Sequence, residues 1–187
     1  MVRDWTRLKY HDPKEILLGL RDIAIKFPLS EMPYKVASLR TRELRQYGES
    51  RQCALFCYGM SKFLGTKILY AQYEASDYDF VAVREVDDIL QYTPIQMKEI
   101  VPDTVNTKST LDSEISKLCK YVDSKNLVVG IHVNRAGKLD LKNINIPKLN
   151  IAELWFFAAA DENQSKWYLF GNMLKENPRY LEFDYPK

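Results

Sequence analysis

Apolar residues in the first part of the chain recur at helical spacing. Ile16, Leu17, Leu20, Ile23 and Ala24 fall on one face of a segment that Asp12 can cap and Pro13 can open. This helix is expected to stop before Pro28. A second helix is predicted over about residues 36–47, ended by Gly48. A third follows Glu49-Ser50-Arg51-Gln52 and runs from Cys53 to Leu64, with Gly65 as its stop. Leu55, Phe56, Met60, Phe63 and Leu64 give it the pattern of a buried helix.

Beyond Lys67 the pattern becomes strand-like. Residues 67–73 are rich in β-favouring types, and residues 78–100 read as a hairpin turning near Glu85-Val86-Asp87-Asp88. After Pro102 comes a polar loop, then a helix starting at Thr110 whose apolar stripe is Leu111, Ile115, Leu118, Cys119 and Val122. Residues 126–133 are nearly continuously apolar, as in a strand covered on both faces. The order is helix, three strands, helix, strand: a meander followed by a crossover. Downstream, a short strand is expected over residues 139–146. Residues 153–160 and 166–171 read as two strands about the turn Asp161-Glu162-Asn163-Gln164, with a helix over 151–160 as the alternative. The tail from Lys175, with Pro178 and Pro186, is expected to be irregular.

These elements describe one α/β (α+β) domain of 187 residues. It divides into a helical extension (1–48), a core (49–133) and a C-terminal extension (134–187) that is β-rich. A hydrophobic content of 46% with 28% charged residues is that of an ordinary globular protein. No apolar run approaches the roughly 20 residues that span a bilayer, and the first residues lack the apolar centre of a signal peptide. Three cysteines, an odd number, suggest reduced thiols and a cytoplasmic location. Cys53 and Cys57 lie one helical turn apart, but with only His11 and His132 to join them they read as buried thiols, not a zinc site. Seven scattered glycines exclude a phosphate-cradling Gly-rich loop, and with it an NTPase or dinucleotide enzyme.

Charge adds one asymmetry. Residues 1–51 hold 11 Lys and Arg against 7 Asp and Glu, while the remainder holds 16 against 18. Arg40, Arg42, Arg45 and Arg51 account for much of this excess. They are candidates for phosphate contact or for a solvated helix face.

The chemistry concentrates in the hairpin. Asp79 stands at the head of one strand, and Gln96 and Lys98 point to the same face of the next. A register bringing Asp79 beside Gln96 would assemble a carboxylate, an amide carbonyl and an ammonium. The first two suit Mg²⁺ or Mn²⁺, and the third would orient a hydrolytic water and stabilise an oxyanion. Acid-or-amide-x-Lys also occurs at Asp12, Asp123, Asp140 and Gln164. Only Gln96-x-Lys98 lies on a predicted central strand, after an acid-bearing strand and before a crossover. Asp77 is the alternative acid; Asp79 is favoured because it enters the strand directly.

The run from Glu49 to Val133 resembles the restriction-endonuclease-like core of the PD-(D/E)xK nuclease superfamily, in the Mrr-like branch where Gln replaces the second acid. The resemblance covers about 85 residues of the chain. It implies a helix, three antiparallel strands, a helix and a further strand paired in parallel. It places the metal-binding acid on Asp79, the E/Q-x-K motif on Gln96 and Lys98, and a supporting first-helix acid on Glu49. The implied activity is metal-dependent hydrolysis of DNA phosphodiesters, with Arg40, Arg42 and Arg45 on the DNA backbone and a homodimer as the means of cutting both strands. A catalytically silent nuclease fold that binds DNA or a protein partner is the alternative. His132 reads as a satisfied core or sheet-end histidine. The aromatics from Trp155 to Phe170 read as core or oligomer interface in preference to base-stacking groups.

Overall fold

A computed structural model describes residues 4–27, 31–137 and 144–187. Among the described residues the chain forms four α-helices, α1 (Pro13–Lys26), α2 (Tyr34–Ala37), α3 (Arg45–Leu64) and α4 (Leu111–Ser116). With them are seven strands, β1 (Ile68–Gln72), β2 (Phe80–Val86), β3 (Ile89–Ile100), β4 (Ser124–Val133), β5 (Ile151–Ala159), β6 (Lys166–Gly171) and β7 (Arg179–Asp184). The strands form one mixed sheet in chain order, parallel at β3–β4 and β4–β5 and antiparallel elsewhere. The protein is therefore a mixed α+β fold around a single sheet. Among the described residues, no helix is long and apolar enough to cross a membrane.

Local chemistry accounts for the element ends. Asp12 accepts a hydrogen bond from the Lys14 amide and Pro13 opens α1. Gly65, at φ 65°, closes α3 in the left-handed region that glycine tolerates. Thr110 and Ser113 form a reciprocal capping box at the start of α4. Burial then sorts the strands. Ile95 and Met97 join the cluster under α3 with Leu17, Phe56 and Phe80, while Val81, Val129 and Ile131 pack on the opposite face with Ile115 and Leu118. Two cores on opposite faces leave β4 covered on both sides, as its apolar run requires.

Several expectations change. The helix expected over residues 36–47 is instead the single turn α2, a break, and then the start of α3. Leu39 takes φ 56°, which ends α2, and Gly48 is an interior residue of α3. A Cβ on Gly48 would meet that of Leu39 at 3.4 Å, an ordinary contact, so the glycine neither ends the helix nor is demanded by its neighbours. Arg40 and Arg42 accordingly lie in the connection between α2 and α3, not on a helix. Residues 117–120 tighten into a 3-10 turn, which leaves Val122 outside the apolar stripe and exposed. Residues 151–159 form a strand, not a helix. The expected strand over 139–146 falls largely outside the described residues, and residues 144–146 have no regular structure. The tail is not irregular, because residues 179–184 pair with β6.

Two helical glycines probe the packing. Alanine at Gly19 would meet nothing within 4 Å, whereas at Gly59 its Cβ would lie 2.8 Å from the buried Phe183 ring. Gly19→Ala should therefore stabilise the fold by about 0.5–1 kcal/mol through helix propensity. Gly59→Ala should destabilise it by about 1 kcal/mol or more, overpacking outweighing the same propensity gain. Urea denaturation of both variants checks the opposite signs.

Candidate active site

Asp87 and Asp88, at φ 52° and 61°, form the two-residue turn of the β2–β3 hairpin. From there the ladder runs through Val86↔Ile89 to Phe80↔Ile95. Its last step pairs the Asp79 amide with the Ile95 carbonyl at 3.2 Å. Asp79 therefore stands opposite Gln96, and the Gln96 amide donates to its carboxylate through Nε2. The second Nε2 hydrogen goes to the Met97 carbonyl at 3.1 Å. The amide's hydrogens are both engaged, and its carbonyl oxygen has no hydrogen-bond partner among the described residues.

Lys98 follows on the same face. Together with Asp79 and Gln96 it lines a pocket of about 470 Å³ that also includes Arg42, Arg45, Gln46, Glu49, Glu74, Ser76 and Lys120. Five parts of the chain converge there: the α2–α3 connection, the start of α3, the β1–β2 loop, the end of β3, and the 3-10 turn after α4. The sequence-predicted Asp79, Gln96, Lys98, Glu49, Arg42 and Arg45 are thus brought to one place. Arg40 is not among them. It turns to the other face of β3, where its Nη2 lies 2.5 Å from the Glu99 carboxylate. Asn134 donates to the same Glu99 oxygen at 2.8 Å. Burial alone would raise the Glu99 pKa, but the bonds from Asn134 and Arg40 outweigh it and hold the carboxyl below its usual range. Asp77 is also engaged elsewhere, accepting from Ser124 Oγ at 2.8 Å.

The pocket mixes four cations with three carboxylates. Burial lowers the Lys98 pKa, the nearby Lys120 lowers it further, and Asp79 opposes both. Glu49 accepts from Arg45 at 2.8 Å one helical turn away, in a solvent-facing pair. Lys120, absent from the sequence reading, enters through the 3-10 turn. Its only signal was Lys117-x-x-Lys120 just before a buried strand. Tyr121 was missed as well. Its buried hydroxyl has no hydrogen-bond partner among the described residues, and burial together with the fields of Asp79 and Asp77 pushes its pKa up to about 12. It is a neutral donor at physiological pH.

Among the described residues, no three His, Cys, Asp or Glu side chains form a metal-ligating group. The donor set suits a hard cation held partly by its substrate: one carboxylate from Asp79, the carbonyl of Gln96, and Glu49 and Glu74 on the same pocket wall. Mg²⁺ commonly takes one or two carboxylates and completes its shell with waters and phosphate oxygens.

The two arginine environments predict different roles. Arg40→Ala should cost about 1–3 kcal/mol of stability, because it leaves a half-buried carboxylate short of a partner. The exposed Arg42→Ala should stay within about 0.5 kcal/mol of wild type. Thermal and urea unfolding of the two variants tests the contrast. Compared with protein-family models, curated proteins and solved structures, the chain finds no match.

Proposed function

We propose that this chain is a metal-dependent endodeoxyribonuclease of the restriction-endonuclease-like, PD-(D/E)xK type. The observation that carries the reading is the meeting of Asp79, Gln96 and Lys98 on one face of the hairpin, in a pocket ringed by Arg42, Arg45 and Lys120. The connectivity supports it too: α3, the antiparallel β1–β3, α4, and then β4 parallel to β3 follow the order such a core would have.

Asp79 and the Gln96 carbonyl would hold Mg²⁺ or Mn²⁺ with support from Glu49. When bound, the cation supplies a more acidic water and neutralises charge on the phosphate. The chain's own groups do the positioning. The Gln96 amide fixes the Asp79 carboxylate in one orientation. The Lys98 ammonium is placed to hold the attacking water and to stabilise charge on the phosphoryl oxygens as the water's P–O bond forms and the P–O3′ bond breaks. Arg42, Arg45 and Lys120 grip neighbouring phosphates, which makes binding steeply salt-dependent. A homodimer would supply the second site needed to cut a duplex. A second reading, the same fold binding DNA without cutting it, draws on the neutrality of Gln96, which leaves Asp79 as the one acid that the hairpin brings to the pocket.

Cleavage of supercoiled and linear DNA with Mg²⁺ or Mn²⁺ separates the two. Wild type should nick or cut only with metal, and Asp79→Ala and Lys98→Ala should lower the rate by about 10² or more while remaining folded by circular dichroism. Cutting that survives both substitutions would overturn the reading, and salt-dependent binding without cutting would select the silent fold.

The pH profile gives a finer check. Lys98 acts as an ammonium, so the rate should fall as pH rises through its pKa, which lies below the ordinary lysine value. Lys120→Gln removes the neighbouring charge that helps depress it, so the alkaline limb of kcat should move to higher pH. An unmoved limb would dissociate Lys98 from the chemistry.

A further inference from the structure

The end of β3 separates two pockets. Beside the candidate site lies a second cavity of about 1220 Å³, on the α3 face, to which Met97 and Glu99 contribute. Arg45, Glu49 and Lys98 line both cavities, so the two adjoin. Leu20, Phe27 and Leu44 give the second cavity an apolar side. Its other side is polar, formed by Arg40, Glu99, His132 and Asn134.

Two atoms of that polar side have no hydrogen-bond partner among the described residues: Nδ1 of His132 and Nε of Arg40, both buried. His132 is only 4% exposed, with its ring stacked on Phe157 at 4.9 Å and beside Trp167 at 5.6 Å. Burial pushes its pKa down to about 4, opposed by Glu99 and reinforced by Arg51 and Arg40, so the imidazole is neutral near pH 7. A neutral imidazole offers one donor and one acceptor. A buried polar atom left unpaired destabilises the fold that holds it. His132 is a core histidine, as expected from the sequence, but its Nδ1 is not paired with any described residue. It lies on the wall of the cavity.

We propose that this second cavity receives one extruded nucleobase of the strand bound in the first. The proposal rests on the nuclease reading and narrows its substrate. An apolar side covers the face of a planar ring, while the polar side formed by Arg40, Glu99, His132 and Asn134 meets its edge. The volume exceeds the roughly 300–1,000 Å³ of common small-molecule sites, which admits a base with its sugar. Arg45 and Lys98 stand where the two cavities meet, in the path of the phosphates joining that base to the bond being cut. Extrusion is least costly for an unpaired base. The preferred substrate is therefore DNA with a bulged, mismatched or single-stranded nucleotide beside the cleavage point.

Calorimetric titration of the full chain, without metal, uses the four deoxynucleoside 5′-monophosphates and deoxyribose 5-phosphate, which lacks a base. At least one nucleotide should bind tenfold or more tightly than the sugar phosphate. Ala24→Trp and Ala37→Trp, which fill the cavity from its α1 and α2 sides, should each weaken that binding about tenfold. Equal binding of all five probes, or wild-type affinity in both folded tryptophan variants, would overturn the proposal. A parallel assay compares metal-dependent cutting of a duplex bearing a single-nucleotide bulge with that of the fully paired duplex, the bulged substrate being expected to react at least tenfold faster. Base-selective binding without any cutting upholds the base pocket and sinks the nuclease reading. Cutting with neither base selectivity nor bulge preference sinks the base pocket and leaves the nuclease reading standing.

Discussion

The hairpin register is the constraint on which the rest of the site depends. A two-residue turn with both residues at positive φ matches the right-handed twist of the strands it joins, and here Asp87 and Asp88 supply it. Once Val86 is paired with Ile89, every later pairing is fixed, and Asp79 must face Gln96. Because side chains alternate, a slip of one residue would send Gln96 and Lys98 under α3, into the cluster of Phe56 and Leu17, and turn Ile95 and Met97 toward the pocket. Burial on both faces opposes that slip more strongly than any single hydrogen bond at the site. The turn and the two cores thus specify the same register from opposite ends of the hairpin.

Electrostatics then sorts charged residues by how committed they already are. Arg40 is held by Glu99, which is in turn held by Asn134 across the β3–β4 pair, so its charge is largely used internally. Arg45 and Glu49 form a solvent-facing pair one turn apart on α3. Such pairs contribute about 0–1 kcal/mol, so exchanging one partner for a phosphate and the other for a cation costs the fold little. Lys98 lies between these extremes. It has no hydrogen bond or ion pair among the described residues, and burial and Lys120 both disfavour its charge. An ammonium held short of partners has the most to gain from an incoming anion.

The parts of this arrangement legible in the sequence were those set by local rules. The Asp12 cap, the Gly65 stop, the Thr110 box and the hairpin turn each arise within a few residues, and the strand alternation that unites Gln96 with Lys98 needs no tertiary information. What escaped depended on distant partners. The break at Leu39 left no proline or glycine signature at the break itself, and the nearest glycine, Gly48, lies inside α3. Strand β7 offers alternating residues between two prolines, a pattern that becomes a strand only because β6 presents an unpaired edge. Arg40, Arg42 and Arg45 look equivalent in sequence. Arg40 is taken up by Glu99 of β3, whereas Arg42 and Arg45 stay exposed beside the pocket.

The parallel pairing of β3 with β4 accounts for the residues the sequence did not nominate. Parallel neighbours cannot be joined by a tight turn, so the chain must cross the sheet before β4 begins. Residues 101–123 make that crossing over the same face as Asp79, Gln96 and Lys98, packing Ile115 and Leu118 against the sheet. Tightening into a 3-10 turn at residues 117–120 leaves Lys120 on the pocket wall, with buried Tyr121 next in sequence, in the field of Asp79 and Asp77. An antiparallel continuation from β3 would have left that face open to water and Lys98 more fully solvated, with neither the burial nor the neighbouring charge that lowers its pKa. The crossover is therefore part of the candidate site's chemistry. It closes one side of the pocket and sets the proton affinity of the lysine that β3 carries.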